Sequence, residues 1–123
     1  MSHFTRVRTK LRNLTVVQRA LEDLGYNVET EAKVRGYGDR ADADLVVRMD
    51  GKYDIGFSER PNGEVYMVAD TWGLKVDRDD FLHEVTQRYA YLTVMEQADA
   101  QGFRVTTEEN QADGSIRLVM QRW

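Results

Sequence analysis

Apolar residues recur with a period of two along most of this chain, and that alternation restricts the fold more than any other feature. Strand side chains point alternately to opposite faces, so an alternating strand buries one set and wets the other. Thr5, Val7, Thr9 and Leu11 alternate with Arg6, Arg8, Lys10 and Arg12. Tyr26, Val28, Thr30, Ala32 and Val34 alternate with Asn27, Glu29, Glu31, Lys33 and Arg35. Arg35 to Asp44 reads as a polar loop. Leu45, Val47 and Met49 then begin a strand, followed by Tyr53, Ile55 and Phe57 and by Val65, Met67 and Ala69. Asp50-Gly51 and Pro61-Asn62-Gly63 are the turns between these runs. Two further strands, Phe103 to Thr107 and Ile116 to Met120, flank Asp113-Gly114.

Two stretches change to helical spacing. Asn13 stands where an N-cap is needed, ahead of Leu14, Val17, Leu21 and Leu24, and Gly25 supplies a left-handed stop. Asp77 caps the second helix, with Asp79 and Asp80 favouring the positive end of its dipole. Phe81, Val85, Tyr89, Leu92 and Met95 form its apolar stripe before Gly102. The expected fold is a single α+β domain over residues 1–123. Its core is one mostly antiparallel sheet of about six to seven strands, with both helices on one face. An echo between Gly25–Thr30 and Gly102–Thr107 suggests two βαββ-like halves.

Composition narrows function mainly by exclusion. The 123 residues suit one core, and the only proline, Pro61, falls in a turn rather than a linker. No run reaches the length of apolar sequence that spans a bilayer. The alternating start, Met1 to Arg8, does not read as a secretory signal, so a cytoplasmic setting is expected. With no cysteine there is no disulfide, thiol nucleophile or thiolate-held cluster. A net charge of −4 argues against broad nucleic-acid affinity.

Catalytic patterns are absent or incomplete. His83-Glu84 resembles the start of a zinc-protease helix, but Gln87 stands where the second histidine is required. His3 could join an amino-terminal copper or nickel site only if Met1 were retained, and removal before Ser2 is the usual outcome. Gly36-Tyr37-Gly38-Asp39-Arg40-Ala41 matches a dinucleotide glycine pattern, yet a strand follows where a helix N-terminus is needed. Asp39, Asp42 and Asp44 lack calcium-loop spacing and read as a solvated turn. No cofactor or metal is expected, and the chain reads as noncatalytic. The basic ladder Arg6, Arg8, Lys10 and Arg12 could meet phosphates or an acidic partner, but reads first as a wet strand face opposing Glu29 and Glu31. Trp72 and Trp123 read either as core caps or as interface anchors.

Taken together, Met1-Ser2-His3-Phe4, Arg35-Gly36-Tyr37, Ala69-Asp70-Thr71-Trp72-Gly73, Gln87-Arg88-Tyr89-Ala90 and Asp113-Gly114-Ser115 leading to Arg122-Trp123 occur in an order that resembles the hypothetical chloroplast reading frame thirty-five family. The resemblance spans essentially the whole chain. It implies a cytoplasmic or plastid-stromal setting in a phototroph, and an accessory role around redox or photosynthetic assembly. No catalytic residue is carried over. The family-matching positions are His3, Arg35, Tyr37, Asp70, Trp72, Arg88, Tyr89, Arg122 and Trp123. A protein partner is the leading expectation, with a homo-oligomer left open. The alternatives are an anion or small-molecule pocket built from Arg35, Tyr37 and Arg88, and RNA binding through the first strand.

Overall fold

The computed structural model describes residues 3–51, 53–72, 74 and 76–122. Five strands, β1 (Phe4–Arg8), β2 (Asn27–Arg35), β3 (Arg40–Arg48), β4 (Ile55–Glu59) and β5 (Val65–Asp70), form an antiparallel sheet in the order β1-β5-β4-β3-β2. Helix α1 (Leu14–Asp23) connects β1 to β2, and helix α2 (Arg78–Ala100) follows β5. Strands β6 (Phe103–Asn110) and β7 (Ile116–Arg122) form a separate two-stranded hairpin.

Both helices start as their caps dictate. The Asn13 side chain accepts from the amides of Thr15 and Val16, and that of Asp77 from Asp79 and Asp80. Gly25 follows α1 at φ +90°, a value that favours glycine. Both helices cover one face of the sheet: Val17 and Leu21 of α1 and Phe81 and Val85 of α2 pack with Leu45, Val47, Ile55, Phe57, Val65 and Met67. Tyr26 and Val28 join the margin of this core.

The single sheet expected from the alternation is corrected to two sheets. Helix α2 has 23 residues, so at about 1.5 Å per residue it runs roughly 35 Å and delivers β6 beyond the sheet. Only the first half of its stripe is deeply buried, at Phe81 and Val85. Tyr89, Leu92 and Met95 are half-buried. The echo survives in element order, since β1-α1-β2-β3 and β5-α2-β6-β7 match. It fails in pairing, because only the first unit's hairpin enters the large sheet.

The first strand is also shorter than expected. Thr9 turns the chain: its hydroxyl donates to the Val65 carbonyl at 2.7 Å and accepts the Leu11 amide at 3.1 Å. Lys10 and Arg12 therefore lie beyond β1. The strand's neighbour is β5, not the one bearing Glu29 and Glu31, and Arg8 faces Glu64 at 3.8 Å.

The largest departure concerns the face opposite the helices. Leu45 packs under the helices, whereas Ala43, two residues earlier, packs with Val34 and Val46 in a second cluster. The break falls at Glu31, which has φ +48°, an uncommon value for a residue other than glycine. Beyond it the β2–β3 arm folds across the back of the sheet, and Ala32 and Val34 follow Ala43 into that cluster. The expected polar loop from Arg35 to Asp44 reduces to residues 36–39, because β3 starts at Arg40.

Gly56 is the seat of this arm. A Cβ at that position would collide with Val34 and lie 2.8 Å from Ala43. Gly56→Ala should therefore destabilise the protein by about 1–3 kcal/mol through overpacking, measured by urea unfolding. Adding Val34→Ala should recover part of the loss, because it removes the methyl in the way.

Candidate functional site

Two aspartates at the end of the sheet organise the candidate site. Asp70 ends β5, Asp54 immediately precedes β4, and the two are opposite one another one step beyond the Ile55–Ala69 pair. The same register puts Phe4 opposite Asp70 and Arg48 one step beyond the Val47–Ile55 pair, opposite Asp54. Both aspartates are fully buried. Each carboxylate loses hydration on burial, so the row stands only if donors surround it.

The donors come largely from the folded-back arm. Arg35 gives Asp54 a bidentate contact, Nε to Oδ2 and Nη2 to Oδ1 both at 2.8 Å, and its amide adds a third bond at 3.0 Å. Arg48 Nη1 reaches Asp54 Oδ2 at 2.8 Å, and the Arg48 guanidinium also pairs with Glu29. Asp70 is held by main-chain donors: the Tyr37 amide to Oδ2 at 2.8 Å and the Trp72 amide to Oδ1 at 3.0 Å. The backbone of His3 adds to these. Gly36 lies so close that a Cβ there would sit 2.6 Å from the Phe4 ring and 2.8 Å from Asp70 Oδ2.

Burial alone would raise both carboxyl pKa values. The Arg35 and Arg48 bonds outweigh it at Asp54, and the amides of Tyr37, Trp72 and His3 outweigh it at Asp70. Both groups are held below the ordinary carboxylate value. The donors around Asp54 and Asp70 thus favour the ionised form of both. Tyr53, half-buried beside Asp70 and Tyr37, has its hydroxyl pKa raised by burial and by those neighbours.

Above the two carboxylates the chain presents an aromatic surface. The His3 ring lies 4.0 Å from that of Trp72, and Tyr37 meets Trp72 edge-on at 5.9 Å. Trp72 is 64% exposed and Tyr37 53%, so these rings are displayed rather than packed. Of the positions singled out in the sequence, His3, Tyr37, Asp70 and Trp72 come together here, with Arg35 beside them on Asp54. Arg88 lies on α2 over the Tyr91 ring at 4.8 Å, and Arg122 on β7 over Phe103 at 4.7 Å. The pocket expected from Arg35, Tyr37 and Arg88 is not assembled, because each arginine is committed to a different neighbour.

Trp123, Gly73, Met1 and Ser2 lie outside the described residues. Arg6 and Arg8 are exposed on β1. Asp42 pairs with Lys33 at 2.8 Å and Asp44 accepts the Glu59 amide, so two members of the acidic trio are strand residues. Among the described residues no cluster of metal-ligating side chains occurs, and no helix is long and apolar enough to cross a membrane. Sequence reasoning missed Asp54, Arg48 and Tyr53. The available signal was Asp54 immediately before the apolar run Ile55 to Phe57, where a charge is normally buried only with partners.

Because both carboxyls have folded-state pKa values below their unfolded ones, they contribute stability that is full above the unfolded pKa and lost as pH falls through the folded values. Urea midpoints should drop as pH is lowered below about 4. Asp54→Asn should cost about 2–4 kcal/mol near neutral pH, discounted for the partial exposure of its arginine partners, and should flatten that acid dependence.

Comparison with known proteins gives this arrangement a family. The profile described as "Protein of unknown function (DUF1257)" matches residues 20–119. Proteins named "Uncharacterized protein ycf35" are similar along the whole chain: 34% identical in Pyropia yezoensis, 36% in Guillardia theta and 33% in Cyanophora paradoxa. Each alignment covers 100% of this chain and 98% of the relative. No solved structure matches. On its length, order of motifs and profile, the chain belongs to the DUF1257 family, with the ycf35 proteins among its relatives.

Proposed function

We propose that this protein is a noncatalytic accessory domain that binds another protein through the aromatic surface of His3, Tyr37 and Trp72. The observation that carries this reading is the combination of high exposure and fixed backbone at Trp72 and Tyr37. Large rings held by amides on a buried carboxylate lose little freedom when a partner covers them, which lowers the entropic cost of association. Tryptophan and tyrosine are also the side chains that dominate protein interfaces. Asp54 and Asp70 are occupied by hydrogen bonds that hold the surrounding backbone, which supports a structural role for both. The setting that fits is the cytoplasm of a phototroph or a plastid stroma, with a role around redox or photosynthetic assembly.

Quantitative capture from native phototroph extract tests this. Proteins retained by the wild-type chain should be depleted at least about tenfold with Trp72→Ala, and clearly with Tyr37→Ala. Glu22→Ala, on the exposed side of α1, should retain them. Reproducible absence of any retained protein, or retention indifferent to both aromatic substitutions, would count decisively against the reading.

A further inference from the structure

The two sheets leave four strand edges, and three of them carry features that discourage pairing. Strand β1 has five residues and bears Arg6 and Arg8. Strand β2 carries Glu29, Lys33 and the bend at Glu31. Strand β6 has a bulge between Val105 and Thr107 followed by Glu108 and Glu109. Short length, charge and bulges are the means by which sheets avoid edge-to-edge association. Strand β7, Ile116-Arg117-Leu118-Val119-Met120-Gln121-Arg122, has no proline, lysine or acidic residue, and its two arginines flank an uncharged centre, Leu118-Val119-Met120, whereas Arg6 stands at the centre of β1. The register shift lies on β6, so β7 is regular, and β6 is its only strand neighbour among the described residues.

The hairpin is also poorly buried for a folded element. No residue of β6 or β7 reaches full burial, and Val119 is 41% exposed. A lone two-stranded hairpin is marginal in water and gains stability from further strands. A folded monomer of 14.3 kDa should expose about 6,800 Å², whereas this chain exposes 7805 Å². That excess belongs to the chain as a whole, and the poorly buried hairpin contributes to it.

We propose that β7 is a self-association edge, on which two copies of this chain pair antiparallel about a two-fold axis at Val119. The occupant is a second copy because the β7 sequence complements itself in that register. Val119 meets its own counterpart on the axis, Leu118 faces Met120 of the second copy, Arg117 faces Gln121, and Ile116 faces Arg122. No like charges stand directly opposite, and a residue on the axis keeps Ile116, Leu118 and Met120 of both copies on one face of the sheet. The two hairpins then form one four-stranded sheet in the order β6-β7-β7-β6, with both acidic, bulged β6 strands outermost. The aromatic surface around Trp72 takes no part.

Sedimentation of the full chain from about 1 µM to about 500 µM should show mass rising toward twice that of the monomer. Over the same range, hydrogen exchange should slow at β7 amides that have no partner in β6. Val119→Lys and Val119→Glu each place like charges on the axis. Each should remain monomeric at concentrations where the wild type is dimeric, while an equimolar mixture of the two should restore the dimer. Circular dichroism and thermal midpoint check that the variants fold. A wild-type chain that stays monomeric throughout overturns the proposal, as does a dimer that persists in Val119→Lys. If either variant fails to fold, the wild-type exchange experiment decides alone, and β7 amides indifferent to concentration overturn it.

Discussion

A carboxylate buried at the end of a sheet must be surrounded by donors, and this requirement at Asp54 and Asp70 shapes much of the molecule. The two flank the last pair of the β4–β5 ladder, Ile55 with Ala69, and each loses its hydration on burial. Arg48 and the Met49 amide reach Asp54 from the next strand and the turn after it, and the remaining donors come from Arg35 to Tyr37 and from the residues around Trp72 and His3. The β2–β3 arm is therefore held across the sheet by polar bonds at its tip and by Val34 and Ala43 against Gly56 along its length.

That arm changes the architecture from a sheet with one wet face to one covered on both sides. Two helices supply the front and a hairpin of the sheet itself supplies the back. The aromatic surface follows directly: the amides that satisfy Asp70 belong to Tyr37 and Trp72, so neutralising the carboxylate also positions two exposed rings. Fold stability and the displayed surface thus rest on the same hydrogen bonds. The β6–β7 hairpin is different. It has few buried contacts, and no residue of either strand belongs to the buried core.

Several features of the fold were legible in the chain. Asn13 and Asp77 cap helices because their side chains accept the first amides, a local property independent of the rest of the fold. The turns at Gly51, Gly63 and Gly114 all take positive φ, as their sequences indicate. Of the candidate site, His3, Tyr37, Asp70 and Trp72 were identifiable by resemblance. Their common location was not, since they come from three separate segments. Leu45-Val46-Val47, apolar without interruption, and Gly56 within a strand carried the signal that both faces are covered. Alternation elsewhere in the chain outweighed it.

By itself, then, the sequence determined what short-range physics controls: helix starts, turns, the alternating strands, the absence of thiol chemistry and the family. Tertiary structure decided which strands pair, where the ribbon bends at Glu31, and which charges enter the interior. Those outcomes depend on contacts between residues far apart in the chain, such as Arg35 with Asp54 and Gly36 with Phe4. No window of local propensity contains both partners, so only the folded chain could bring the aromatic surface together over its two buried carboxylates.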